Sequence, residues 1–213
     1  MVDFFLESIL NLAGFAVGMI IGIISYIGFR NTGSPTLFRL TLAFFAIGTG
    51  FIIMWLGQAA DIFVYKTGHS VQWVQTLGIG VQTVGYFFIA FSHTIKSFFP
   101  KSSYLRSVGI LPLFLISFIS IENIIRSISF ILLAYGAIET ILSYFESRRK
   151  TAIFVAAGLG ALGFGEFLGW YYFLFPQSVL GVVSISTKII GLILLFIPVT
   201  KVPLTKMKFD ERL

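Results

Sequence analysis

Long runs of apolar residues, separated by short polar stretches, dominate the pattern along this chain. A helix needs about 20 mostly apolar residues to cross the hydrocarbon core of a bilayer, and runs of about that length recur along most of the sequence. They predict seven transmembrane helices, near Phe4–Phe29, Leu37–Val64, Val71–Phe99, Tyr104–Ser120, Ile124–Phe145, Thr151–Phe175 and Val179–Val199. We therefore expect an all-α membrane protein that forms a single polytopic domain over residues 1–213.

The polar connections between these runs predict an orientation, because cytoplasmic loops are enriched in Lys and Arg. Twelve basic residues fall in the first, third and fifth connections and the C-terminal tail, whereas only Lys66 and Arg126 fall on the other side. This bias predicts an N-terminus outside and a C-terminus inside. The first run is preceded by Asp3 and contains Glu7, which is atypical of a signal peptide, so we expect it to be retained as a helix.

The composition agrees with a membrane protein and excludes several other classes. Hydrophobic residues make up 57% of the chain and charged residues 11%, and the mean hydropathy is +0.95. Soluble domains are about a quarter charged, so a water-soluble enzyme, a nucleic-acid-binding module and a disordered chain are excluded. We interpret the net charge of +6 as basic cytoplasmic loops. The expected partner is the lipid bilayer, and the expected location is the cell membrane, crossed several times.

Similar residues recur in the two halves of the chain and suggest an internal repeat. In the first half the pattern consists of Gly18, Ser25, Tyr26, Arg30, Gly50, Gly57, Gln58, Gly78, Gln82 and Gly85; in the second half of Gly136, Ser143, Tyr144, Arg148, Gly158, Gly165, Glu166, Ser184, Lys188 and Gly191, in the same order. The match predicts two three-helix units, 1–99 and 121–199, joined by a linker helix in 100–120 and followed by a basic tail, 200–213. In this alignment the two halves differ in length after the first and fifth helices.

This layout of three helices, a linker helix and three more helices resembles the group that includes SWEET-type sugar transporters and microbial rhodopsins. The resemblance rests on topology and implies a site between the halves near the middle of the membrane. In microbial rhodopsins the last helix carries the lysine that binds retinal, and Lys188 stands at that place. The neighbouring positions depart from that family, with Gln72 and Ser184 where it carries carboxylates. The Pro-Gln pair typical of the sugar transporters occurs only in a loop, as Pro176-Gln177.

Charged residues inside the predicted spans are the best candidates for a functional site, because an ionisable group in the bilayer costs at least about 2.5 kcal/mol on insertion scales. Glu166 and Lys188 lie at matching depth on consecutive helices, and Glu139 is also near the midplane. The repeat predicts that Gln82 and Lys188 face each other, flanked by Gln58 and Glu166, with Tyr86 nearby. The alternative is that the Glu166–Lys188 pair is purely structural.

The remaining charged and titratable residues suggest no catalytic or metal chemistry. Glu7, Glu122 and Arg126 lie near helix ends, where long side chains reach the interface, so we interpret them as boundary charges. His69 and His93 lie on opposite sides and predict no metal pair, and no enzyme motif occurs.

Three non-enzymatic functions remain open. The first is a protein that binds or moves a small polar solute or a proton, as a transporter or receptor, through a site formed by Glu139, Glu166, Lys188, Gln58, Gln82 and Tyr86. The second is an accessory subunit of a larger membrane complex. The third is a retinal protein with Lys188 as the Schiff-base lysine; otherwise no cofactor is expected.

Overall fold

The computed structural model describes the backbone of residues 2–63, 68–94, 120–148, 150–175 and 178–200. These residues form six α-helices. They are α1 (Val2–Thr32), α2 (Pro35–Phe63), α3 (Gly68–Thr94), α4 (Ile121–Ser147), α5 (Lys150–Leu174) and α6 (Ser178–Thr200). Each helix is long and apolar enough to cross a membrane, so the chain is a multi-pass membrane protein.

The expected count of seven helices is wrong for this structure, which over its described residues is all-α with six helices, all candidate membrane spans. The expected span at Tyr104–Ser120 lies outside the described residues. It is the shortest of the predicted runs and falls below the length of about 20 residues that spans a bilayer. Arg106 and Pro112 also interrupt it, so its apolar content alone does not establish a membrane-spanning helix.

The six helices pack as a closed ring, in which each helix contacts the helices before and after it and α6 returns to α1. Contacts at Gly14–Phe51 and Gly22–Phe45 show that α1 and α2 are antiparallel. Similar contacts make α2–α3, α4–α5 and α5–α6 antiparallel.

The two sets of three helices have the same orientation. Gly80 lies against Ile125 and Thr83 bonds to Ser129, so α3 and α4 are parallel. Consequently α1, α3, α4 and α6 point one way and α2 and α5 the other. The start of α1 and the end of α6 therefore lie at opposite ends of the bundle. We call the end where α1 meets α2 and α4 meets α5 the basic end, because Arg30, Arg39, Arg148 and Lys150 lie there.

The connections at the basic end are alike in both halves. Two residues separate α1 from α2, and two residues separate α4 from α5. The first of each pair is left-handed, with φ of 66° at Gly33 and 50° at Arg148. In both turns its N–H donates to a carbonyl in the last turn of the preceding helix, that of Phe29 or Tyr144, over 2.7 Å.

Helix packing also repeats between the halves, and its register corrects the one expected from the sequence. Gly50 packs against Gly78 and Gln82, and Gly165 packs in the same way against Ser184 and Lys188. The counterpart of Gly50 is therefore Gly165 rather than Gly158. The turns at the basic end have equal length, so the difference in length between the halves falls at the opposite end, where α2 and α3 extend further: α2 has 29 residues against 25 in α5, and α3 has 27 against 23 in α6.

The outer face of the ring is apolar, as a lipid-facing surface requires. Large hydrophobic side chains such as Trp73, Phe87 and Ile190 are more than half exposed there. The interior is packed with Phe44, Phe51 and other buried apolar side chains, but it also contains fully buried polar and charged groups. These buried polar groups form the candidate site.

Candidate functional site

Glu166 on α5 is the centre of the buried polar cluster, and its side chain has no exposed surface. Its Oε1 atom lies 2.6 Å from Nζ of Lys188 and accepts a hydrogen bond from the hydroxyl of Tyr86 over 3.0 Å. Its Oε2 atom accepts from Nη1 of Arg126 over 3.2 Å. Four helices, α3 to α6, thus contribute to one ion network, which we call the Glu166 centre (Tyr86, Arg126, Glu166 and Lys188).

Lys188 connects this centre to the first half of the chain. Its Nζ donates to Oε1 of Gln82 on α3 over 3.3 Å. Lys188 and Gln82 are counterparts in the two halves, since Gly165 packs against the lysine stem as Gly50 packs against the glutamine. The structure therefore brings these two residues together, as the repeat predicts, and places Glu166 and Tyr86 beside them.

Arg126 belongs to this centre, although sequence reasoning assigned it to the membrane boundary. It lies close to the start of α4, yet its side chain is only 12% exposed and points inward. Its Nη2 also lies 2.9 Å from Oε1 of Glu122, one turn earlier in the helix. The spacing of Glu122 and Arg126, typical of paired charges on one helix face, is the sequence signal for this pair. The positive charges of Arg126 and Lys188 are thus balanced by the negative charges of Glu122 and Glu166.

Gln58 lies in a different polar cluster, near the start of α1. Its Oε1 accepts from Asn11 over 3.0 Å and its Nε2 donates to Glu7 over 3.3 Å. The sequence predicts Gln58 beside Lys188 because it treats Gln58 as the counterpart of Glu166. The packing of the helices does not support that pairing, and Gln58 lies elsewhere. In this register Glu7 and Asn11 are the counterparts of Glu122 and Arg126.

Glu139 is not brought to the Glu166 centre. It lies on α4 thirteen residues after Arg126, which corresponds to about 20 Å along the helix axis. It is therefore close to the basic end and partly exposed. Glu139 makes no contact with the Glu166 centre in the described structure, so its predicted role as a second carboxylate of the site has no structural support.

The amide of Gln82 has spare hydrogen-bonding capacity. Its Oε1 is occupied by Lys188, but its Nε2 is fully buried and has no partner among the described residues. A buried donor without a partner costs about 1–3 kcal/mol, and such groups in native proteins call for an explanation such as a water or a ligand. The spare donor lies next to the ammonium group of Lys188.

Lys188 does not fit the role of a retinal-binding lysine. Its Nζ is held by Glu166 and Gln82, and its stem packs against Gly165 with only 2% of the residue exposed. Two pockets formed by described residues lie on the outer surface, between α3 and α4 and between α4 and α5, and Lys188 lines neither. The described residues also contain no group of His, Asp or Glu side chains that would hold a metal.

Three of the four charged residues in the network have uncharged counterparts in the first half, whereas Glu122 corresponds to the charged Glu7. Arg126 corresponds to Asn11, Glu166 to Phe51 and Lys188 to Gln82. Phe51 is as fully buried as Glu166, and Asn11 and Gln82 are buried too. The same helix packing therefore accommodates an uncharged set in one half and a charged set in the other.

Comparisons with known proteins add no assignment, because no protein-family model, no curated protein and no solved structure matches this chain.

Proposed function

We propose that this protein is a non-enzymatic transporter or receptor of the cell membrane that binds or moves a small polar solute or a proton at the Glu166 centre. The observation that carries the proposal is the convergence of Lys188, Arg126 and Tyr86 on one fully buried carboxylate. Ionisable groups in membrane-spanning segments are rare and commonly mark solute or proton pathways.

The contacts of the centre cross the boundary between the two halves. Tyr86 and Gln82 belong to α3 in the first half, whereas Glu166 and Lys188 belong to the second half. Parallel three-helix units are one established transporter plan, with the site between the units. A change in the charge or occupancy of Glu166 would alter the bonds that hold the halves together, which links binding to movement of one half against the other.

The uncharged counterparts support a functional reason for the charges. Phe51, Asn11 and Gln82 show that the positions equivalent to Glu166, Arg126 and Lys188 are buried in the first half without carrying a charge. Buried ion pairs also contribute little net stability compared with apolar residues of similar volume. Packing alone therefore does not explain why the second half carries Arg126, Glu166 and Lys188.

Water access to the centre tests the proposal. The chain contains no cysteine, so S184C gives a single reporter beside Glu166, because the Ser184 hydroxyl donates to the carbonyl oxygen of Gly165 over 2.8 Å. We expect a charged, water-soluble thiol reagent to modify S184C in the purified protein, because a solute or proton pathway must open to water.

T140C is the matched control, since Thr140 is 5% exposed and Ser184 is 4% exposed, and Thr140 lies far along α4 from Arg126. We expect S184C to react faster by about tenfold or more, which corresponds to about 1.4 kcal/mol of easier opening. Equal rates, or no reaction at either position, would contradict the proposal and leave the ion network with a structural role.

A further inference from the structure

Hydrogen-bond donors are in excess at the Glu166 centre. Lys188, Arg126 and Tyr86 all direct donors to the single carboxylate of Glu166. The ammonium group of Lys188 has three N–H groups, and among the described residues two of them have partners, Glu166 and Gln82. Nε2 of Gln82 adds a buried donor that has no partner in the described part of the chain. A ligand that completes these bonds must therefore accept hydrogen bonds.

The arrangement around Glu166 is the one that proteins use to bind carboxylates from solution. Arginine and lysine together supply charge-assisted hydrogen bonds to carboxylate oxygens, and a tyrosine hydroxyl adds a neutral donor. Here the side chain of Glu166 itself occupies the position between Arg126 and Lys188. The protein's own carboxylate thus stands where the carboxylate of a ligand would be bound.

The charge balance of the centre restricts how such a ligand enters. Arg126 and Lys188 are balanced by Glu166 and Glu122, and within the described ranges Tyr86 is the other titratable group that contacts Glu166. An added anion would leave an excess negative charge in a buried site, which is costly. If Glu166 takes up one proton as one monovalent anion arrives, the net charge of the centre stays the same.

We propose, building on the function proposed above, that the Glu166 centre binds a small monovalent carboxylate together with one proton. The proton goes to the carboxylate of Glu166, whose bonds from Lys188 and Arg126 are released. The ligand carboxylate then accepts the bonds from Lys188, Arg126 and the amide of Gln82. No covalent bond forms or breaks apart from this proton transfer.

Protection of S184C from the thiol reagent tests the ligand class with L-lactate as the probe. Lactamide is the matched neutral control, because it replaces the carboxylate by an amide at nearly constant size. We expect L-lactate to slow modification and lactamide to have no effect. The apparent affinity for L-lactate should rise at acidic pH by about fivefold or more, the lower end of ordinary coupling between two sites.

Two variants of the centre sharpen this test. E166Q keeps the size of the side chain and mimics the protonated carboxyl group, so protection by L-lactate should persist and lose its pH dependence. K188Q removes one cation and should abolish protection. Size-exclusion profiles of both variants check that they are folded, and we expect profiles like that of the unmodified protein.

The outcomes separate this inference from the proposed function. Equal protection by lactamide and L-lactate, absence of protection, or protection by L-lactate that does not depend on pH would overturn the carboxylate inference. Modification of S184C without any ligand would still support the water-accessible site. If S184C does not react at all, the proposed function fails first.

Discussion

The two halves of the bundle, α1–α3 and α4–α6, share their packing but differ in the chemistry of their interiors. Gly50 and Gly165 make equivalent contacts with the third helix of their half. Beside them, however, Phe51 is replaced by Glu166, and Gln82 by Lys188. The difference indicates that this helix arrangement does not need buried charges. The charges of the second half therefore require a reason other than packing.

The largest expected effect comes from removing the acidic partner of two buried cations. E166L leaves Lys188 and Arg126 without their shared carboxylate, so we expect it to lower the free energy of unfolding by about 3–5 kcal/mol. The matched change in the first half, F51L, should cost only about 1 kcal/mol because leucine keeps most of the buried apolar area. Unfolding in mixed detergent–SDS micelles measures both, and equal losses would contradict the contrast between the halves.

Adding one methyl group at the packing contact that both halves share tests how similar the two halves are. In G50A and G165A the new Cβ would press against the third helix of the half, at the carbonyl oxygen of Gly78 or of Ser184. We expect each variant to lose about 2 kcal/mol of unfolding free energy, since overpacking costs about 1–3 kcal/mol. A loss in only one half would mean that the two interfaces are not equivalent.

A smaller effect is expected from the hydroxyl that links the halves. Y86F removes the 3.0 Å hydrogen bond to Glu166 but leaves both cations in place. Side-chain hydrogen bonds in membrane proteins contribute about 0.6 kcal/mol on average, so we expect a loss of about 1 kcal/mol. The same unfolding titration measures it, and a loss as large as that of E166L would contradict this estimate, because it would make the Tyr86 hydroxyl as important for stability as the Glu166 carboxylate.

The smallest single change concerns the turns at the basic end. Arg148 adopts a left-handed conformation at the position where the first half has Gly33. R148G should therefore raise the unfolding free energy by about 0.5–1 kcal/mol, because glycine adopts this conformation without strain. G33A, the reverse change in the first half, should lower it by a similar amount. A destabilising effect of R148G would mean that the arginine side chain compensates for its backbone strain.

Part of the site is predictable from the sequence. Glu166 and Lys188 lie at equal depth on consecutive helices, and depth follows from counting residues from the connecting turn. The repeat correctly pairs Gln82 with Lys188, because Gly85 and Gly191 mark the same position three residues further along each helix. These relations are local or depend on one helix face, so a pattern of spacing is enough to find them.

Residue spacing alone does not predict the helix register or the position of the Arg126 side chain. One register pairs Gly50 and Gly57 with Gly158 and Gly165. The other pairs Gly48 and Gly50 with Gly163 and Gly165, so each register matches two glycines. Only the contacts with α3 and α6 select one of them. The position of Arg126 near a helix start predicts a boundary charge, and nothing in the local sequence shows that its guanidinium group turns inward to Glu166.

The most direct test of the central claim removes all four charges of the network together. The quadruple variant E122Q/R126N/E166F/K188Q leaves neither a cation nor a carboxylate unpaired, because Glu122 is the partner of Arg126, and at three positions it uses the residues that are buried in the first half as Asn11, Phe51 and Gln82. Because a complete apolar or neutral replacement of a buried ion network is often neutral or stabilising, we expect an unfolding free energy within about 1 kcal/mol of the unmodified protein. An unfolding free energy as low as that of E166L would show that the charges are needed for packing and would contradict the account.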